Sequence, residues 1–245
     1  MYKINSYIYQ TIQTPKTSNM IISQKYINIH THTKDYLANE ISIQNIFPGD
    51  ILSTNHNCWY SVGIHPWFIN LETVNNELKI LEHRLNNNIL AVGEIGLDKL
   101  YPGFELQKEV FTQQINIANS LKKPIIIHCV KSFSEILSIL KKNNIEVPVI
   151  FHGFNSSSEI AKEIIAQNYY ISLGKILFQN QGKVLNYIKE IPLKNIFFET
   201  DNSEYNIEQI YRKASQIFEI DESKIIKEIF IKFVDIFNFN SQLIK

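Results

Sequence analysis

Seven short apolar runs, separated by stretches of helical spacing, constrain this chain more than any other feature. The runs are "KYINIH" (25–30), "CWYSVGI" (58–64), "ILAVGEI" (89–95), "PIIIHC" (124–129), "PVIFH" (148–152), "YYISLG" (169–174) and "NIFFET" (195–200). They lack strict apolar–polar alternation, which is the pattern of parallel strands covered on both faces. Helical spacing is predicted between them, over Leu71–Leu85, Leu106–Leu121, Phe133–Leu140, Ile160–Ala166, Val184–Ile188, Ile207–Ile217 and Ser223–Phe237. Strand–helix alternation of this kind builds an α/β fold around a parallel sheet. With "GDILST" (49–54) as a poor eighth strand, the count favours an α/β barrel over a doubly wound sheet. No G-x-G-x-x-G follows the first run, so a dinucleotide fold is disfavoured.

The length, 245 residues, suits one barrel domain. Residues 1–24 are polar and aperiodic, and are read as an N-terminal extension preceding a domain over 25–245. Met20 is the only methionine after Met1, which makes it a candidate alternative start. Lys+Arg and Asp+Glu both count 24, so no global positive field draws in nucleic acid. A nucleic-acid substrate would have to be held by a local site. Two cysteines, Cys58 and Cys129, give no disulfide framework, and a reduced cytoplasmic setting is expected. No apolar stretch approaches the ~20 residues of a membrane helix. No obligate protein partner is evident.

The polar exceptions in the apolar runs share a position. His30 and His32 lie at the end of the first run, at the i, i+2 spacing that puts both on one face of a strand. Glu94, His128, His152 and Asp201 lie at or just past the ends of later runs. In a parallel barrel those ends converge on one face, where active sites sit. Burying six such groups without partners would cost several kcal/mol each. Imidazole nitrogen and carboxylate oxygen together suit a divalent cation, and one carboxylate can bridge two ions ~3.5–4 Å apart. Cys129, beside His128, falls on the opposite face and is not read as a nucleophile.

The motifs "INIHTH", "YSVGIHPW", "AVGEIGLD", "KPIIIHC", "VIFHGF" and "IFFETD" resemble, in order, those of the TatD family of metal-dependent hydrolases, within the amidohydrolase superfamily. The likeness spans about residues 25–240. It implies a distorted TIM barrel in a single domain, with one or two divalent ions (Mg, Mn, Zn or Co). It also implies cleavage of DNA phosphodiesters. Carried over residue by residue, His30 and His32 match the first metal pair, Glu94 the linking carboxylate, and His128 and His152 the ligands of the second ion. Asp201 matches the acid that binds the first ion and contacts the attacking water. Glu94 and Asp201 thus stand as catalytic as well as metal-binding.

Around that set, His65 in "GIHPW" is expected to approach the scissile phosphate, and Lys131 to touch it. Glu199, two residues before Asp201, is read as an acceptor that orients a ligand histidine. Asp98 is read either in that role or as a turn cap. The sequence departs from the family pattern at the rim. Val130 stands where an arginine is common and Glu204 where a proline is common, and "HGFNSS" lacks a usual glycine. Lysine does not replace arginine for forked phosphate contact. The expected function is therefore a metal-dependent hydrolase acting on DNA ends or another phosphate ester. The alternatives are a hydrolase of a small amide, ester or phosphate monoester, and a non-catalytic scaffold with a vestigial barrel.

Overall fold

Eight parallel strands run in sequence order around one sheet, β1 to β8. They are β1 (Tyr26–Thr31), β2 (Glu40–Ile46), β3 (Trp59–Val62), β4 (Ile89–Asp98), β5 (Ile125–Val130), β6 (Val149–Phe151), β7 (Tyr170–Leu173) and β8 (Ile196–Phe198). The computed structural model describes residues 25–34, 37–52, 58–84, 88–179 and 182–239. The expected extension over 1–24 and Met20 lie outside these residues.

Among the described residues six α-helices surround the sheet: α1 (Val74–Arg84), α2 (Phe104–Leu121), α3 (Phe133–Lys142), α4 (Ser158–Ala166), α5 (Ile207–Phe218) and α6 (Glu222–Ile236). No described helix follows β1 or β2, which is one distortion of the eightfold barrel. The C-terminal segment covers part of that side: Phe239 packs edge-on against Trp59, ring centroids 4.8 Å apart. Strand burial matches the continuous apolar runs, since every residue of β4 and of β6 is buried.

Two expectations are corrected. The eighth strand is not "GDILST". Residues 47–50 form a turn in which Asp50 Oδ2 accepts from Phe47 N at 2.8 Å, and residues 53 and 54 lie outside the described set. Pro48, Gly49 and Asp50 are turn residues and stop a strand there. The strand lies earlier, in "EISIQNI", where apolar Ile41 and Ile43 alternate with Ser42 and Gln44. A search for unbroken apolar runs passes over an alternating segment. The second correction concerns Val184–Ile188, which forms two 3-10 turns, Lys183–Asn186 and Ile188–Glu190, rather than an α-helix. Tyr187, between them, leaves helical dihedrals at φ −136°, ψ 3°. Pro192 ends the segment before a longer helix could form.

The barrel closes through an unusual seam. Between β8 and β1 there is one isolated bridge, Thr31 to Asp201. Backbone bonds there run from Asp201 N to His30 O (3.0 Å) and from His32 N to Asp201 O (3.5 Å). Lower in the seam, side chains take over. The Asn28 carboxamide accepts from Thr200 N at 3.0 Å and donates to Thr200 Oγ1 at 2.8 Å. The Tyr211 hydroxyl, reaching in from α5, accepts from Ile27 N (3.2 Å) and donates to Ile27 O (3.0 Å). Buried backbone groups need partners, and these side chains supply what a longer β8 would have supplied.

Candidate metal centre

The seam fixes the first part of the site. His30 is fully buried at the end of β1, and His32 follows on the same side. Asp201 sits in the left-handed backbone region (φ 50°), which aspartate tolerates better than most residues. Its Oδ1 lies 3.5 Å from His32 Nε2 and 3.8 Å from His30 Nε2. The carboxylate is partly open to solvent, with 26% of the side chain exposed, so water can reach it.

Helix α2 fixes the opposite wall. Gln107 and Gln114 are seven residues apart, two turns, and so lie on one helix face. Both are buried. Gln114 clamps Ile64, accepting from its N–H at 2.7 Å and donating to its carbonyl at 3.1 Å. Gln107 does the same for Asp98, at 2.8 and 3.1 Å. His65 follows Ile64, and its Nδ1 accepts from Trp67 N at 3.1 Å, which leaves the ring proton on Nε2.

Glu94, buried in β4, stands at the middle. Five imidazoles converge on its carboxylate: His128 and His152 at 2.7 Å, His65 at 3.2 Å, His30 at 3.3 Å and His32 at 3.5 Å. Burial alone would raise the Glu94 pKa; the imidazoles of His152, His128 and His30 outweigh it and hold the carboxyl well below its usual range. Burial opposes a charge on His152, but Glu94 and Glu199 prevail and hold it well above the ordinary histidine value. His65 is shifted the other way, down, because desolvation outweighs its contact with Glu94.

The donor set fits a divalent cation. His30 Nδ1 is buried without a hydrogen-bond partner, and His30 Nε2 and His152 Nδ1 meet only carboxylate oxygens at 3.3 and 3.5 Å, outside good hydrogen-bond geometry. Three overlapping groups each bring their ligand atoms within 4.8 Å of one another: His30–His32–Asp201, His30–Glu94–His152 and His65–Glu94–His128. Mixed nitrogen and oxygen donors of this type suit first-row divalent ions. A proton on an imidazole competes with a cation for the same lone pair, so loading such a site releases protons.

A family profile described as TatD related DNase matches residues 49–238. Over 227 residues the chain is 32% identical to a Buchnera aphidicola protein named an uncharacterized metal-dependent hydrolase, covering 85% of this chain and 84% of that one. The chain belongs to the TatD family of metal-dependent hydrolases. A TatD homologue from Escherichia coli, YJJV, shares the fold: TM-score 0.75, 17% identity, 90% of this chain and 100% of that chain. A human relative named a 3'-5' RNA nuclease, TATDN2, is 29% identical over 166 residues, which cover 64% of this chain and 22% of that protein.

All six residues matched to TatD ligands, namely His30, His32, Glu94, His128, His152 and Asp201, meet in one site. His65, expected to contact substrate, stands within the ligand cluster itself. Glu199 lies behind His152: its Oε1 accepts from Gly153 N at 2.6 Å and sits 3.5 Å from His152 Nδ1. The Asp98 carboxylate reaches in two directions. Its Oδ1 accepts from Leu100 N at 2.8 Å, and its Oδ2 lies 3.5 Å from His128 Nε2. Lys131 is exposed beyond β5, in the left-handed region at φ 52°. Cys129 turns toward Ser132, and burial pushes its thiol up to about 12.

The sequence reading did not single out Asn28, Thr200, Tyr211, Gln107 or Gln114. Asn28 carried a signal, since it is two residues before His30 on the same strand face. Gln107 and Gln114 carried another: polar side chains at i, i+7 on an otherwise apolar helix face.

Proposed function

We propose that this TatD-family protein is a divalent-metal-dependent phosphodiesterase acting on nucleic-acid ends, DNA first among them. The observation that carries the reading is the convergence of five imidazoles on Glu94, with the Asp201 carboxylate open at one side. The family description and the human relative's name support the choice of phosphodiester.

His30, His32, Glu94, His128, His152 and Asp201 would hold the ions. A divalent cation held there would supply two things: a lowered pKa for water bound to it, and withdrawal of charge from a phosphoryl group. Asp201 is placed to orient the attacking water and to take its proton, being both close to His30 and His32 and partly exposed. His65 presents its Nε2 proton to the same space. Asp98 and Glu199 hold His128 and His152 in position from behind.

Metal-stripped protein reloaded with Mg, Mn, Zn or Co should release nucleotides from single-stranded DNA, and Asp201→Asn should lower the rate by roughly 10²–10⁴-fold. No release with any of the four ions, in protein shown to have bound them, would refute the reading.

One observation favours a smaller substrate. A cavity of about 400 Å³ opens beside His32 and Asp201, and Glu40 and Glu204 contribute to its lining. An exposed carboxylate at that rim repels a polyanion. A panel of small amides, esters and phosphate monoesters run beside DNA separates the two readings.

A further inference from the structure

Three of the candidate ligands, His30, His32 and Asp201, sit at the seam where the backbone bridge runs from Thr31 to Asp201. Asp201 keeps left-handed dihedrals, which a non-glycine residue holds only when its surroundings over-determine them. A chain of side chains supplies that constraint. Thr200, next to Asp201, donates its N–H to Asn28 Oδ1 at 3.0 Å. Its hydroxyl donates to Oγ1 of Thr31, the residue between His30 and His32, at 3.0 Å. Thr31 Oγ1 also accepts from Thr33 N at 3.2 Å. Asn28 Nδ2 donates to Thr200 Oγ1 and to Glu40 Oε1, both at 2.8 Å.

The order of donors is fixed from both ends. A carboxylate accepts only, and a backbone N–H donates only. Asn28 must therefore turn its nitrogen to Glu40 and its oxygen to Thr200 N. Its second N–H fills the Thr200 hydroxyl, whose own proton then goes to Thr31. Asn28, Thr31 and Thr200 are buried, so water cannot stand in for a lost partner.

Glu40 opens β2 and is half-buried. Among the described residues its partners are all neutral: Asn28, the Ser42 hydroxyl, and Leu37 N, which donates to Oε2 at 3.1 Å. Asn28 pairs with Ser42 in the β1–β2 register, and Glu40 shares the Ser42 face of its strand. Withdrawing a carboxylate from water with no cation beside it costs free energy. A glutamine of the same size would avoid that cost, yet it cannot satisfy the set. Its amide nitrogen would face either Asn28 Nδ2 or Leu37 N–H, donor against donor.

We propose that Glu40 and Asn28 are positioning residues for an ion held by His30, His32 and Asp201. The donor order from Glu40 through Asn28 to Thr200 and Thr31 sets where those three ligands point. The proposal rests on the metal centre and is independent of which ester is cleaved. Its effect is one-sided, because His128 and His152 are held from behind by other carboxylates, Asp98 and Glu199.

The test uses the full chain, stripped of metal, isotopically labelled at its histidine rings and titrated with Zn under NMR at about pH 8, above the carboxylate range. The rings of His30 and His32 report one side of the centre, and those of His128 and His152 the other. Glu40→Gln and Asn28→Asp should each weaken Zn uptake read at His30 and His32 by about 10–100-fold, with a change under about threefold at His128 and His152. Asn28→Asp separates donor order from charge. It adds a negative charge near the cation, so attraction alone would tighten binding, whereas two facing carboxylates have no donor between them. In the double variant Asn28→Asp, Glu40→Gln, the new amide can donate to the new carboxylate, and uptake should return to within about threefold of wild type. Glu40→Gln changes one oxygen to nitrogen and keeps the comparison decisive should Asn28→Asp not fold. Unchanged or tighter binding in either single variant, equal losses on both sides, or a double variant no better than the weaker single overturns the proposal. Wild-type rings that ignore Zn would overturn the metal centre itself, a failure told apart because it needs no variant.

Discussion

Replacing Tyr211 by phenylalanine removes one oxygen atom and tests how the barrel is closed. The ring would stay, packed at 4.8 Å against Phe198 and 5.1 Å against Tyr26. What goes is the hydroxyl that both donates to Ile27 O and accepts from Ile27 N. Ile27 is fully buried, so water cannot replace either bond. An unsatisfied buried polar group costs about 1–3 kcal/mol, which for the N–H and the carbonyl together gives roughly 2–6 kcal/mol. At about 2–4 °C per kcal/mol for a chain of this size, a central loss of ~3 kcal/mol lowers Tm by roughly 6–12 °C. Urea titration followed by circular dichroism should show a lower midpoint with an unchanged slope. A loss under about 0.5 kcal/mol would mean that the Asn28–Thr200 and His30–Asp201 bonds close the seam without Tyr211, and the reasoning would fail.

Two further outcomes follow from positions elsewhere in the barrel. Gly96 has φ 148°, and a β-carbon there would lie 2.0 Å from the His128 carbonyl oxygen. Gly96→Ala should cost ~3 kcal/mol or more and reduce metal binding by shifting His128. Gly49→Ala, where a β-carbon meets nothing within 4 Å, should leave the melting temperature unchanged, and equal melting of the two variants would contradict this. Lys232 donates to the carbonyls of Leu193 and Ile196, and burial lowers its pKa to about 7. A lysine whose folded pKa lies below its unfolded value opposes folding while charged. That cost is full below about pH 7 and is relieved as pH rises toward the ordinary lysine range near 10.4. The stability of the wild type relative to Lys232→Met should therefore rise between those limits; a flat or falling difference across parallel pH titrations would contradict the assignment.

The readable parts of the sequence were those set by a single strand or helix. Runs such as "PIIIHC" gave their strands because both faces are buried and the residues are β-branched. The candidate ligands were visible because each breaks such a run at the same end. What stayed hidden depends on partners far along the chain. β2 alternates apolar and polar residues, so its identity rests on the barrel around it. Tyr211 and Gln114 read as ordinary helix residues until the fold brings Tyr211 to Ile27 and Gln114 to Ile64, 184 and 50 positions away. His65 was visible as a strand-end histidine, but its place beside Glu94 follows from the backbone clamp on Ile64 and from Trp67 N–H, and neither is a property of "GIHPW" alone.

Metal content is the most direct measure of the central claim, that side chains from five separate segments gather to hold divalent cations. Stripped protein titrated with Zn or Mn, by calorimetry and elemental analysis, should take up one or two ions per chain and release protons as it does so. Glu94→Gln should keep its secondary structure yet lose that uptake by at least about tenfold. A chain that binds no ion, or binds it equally well without the Glu94 carboxylate, would contradict the account.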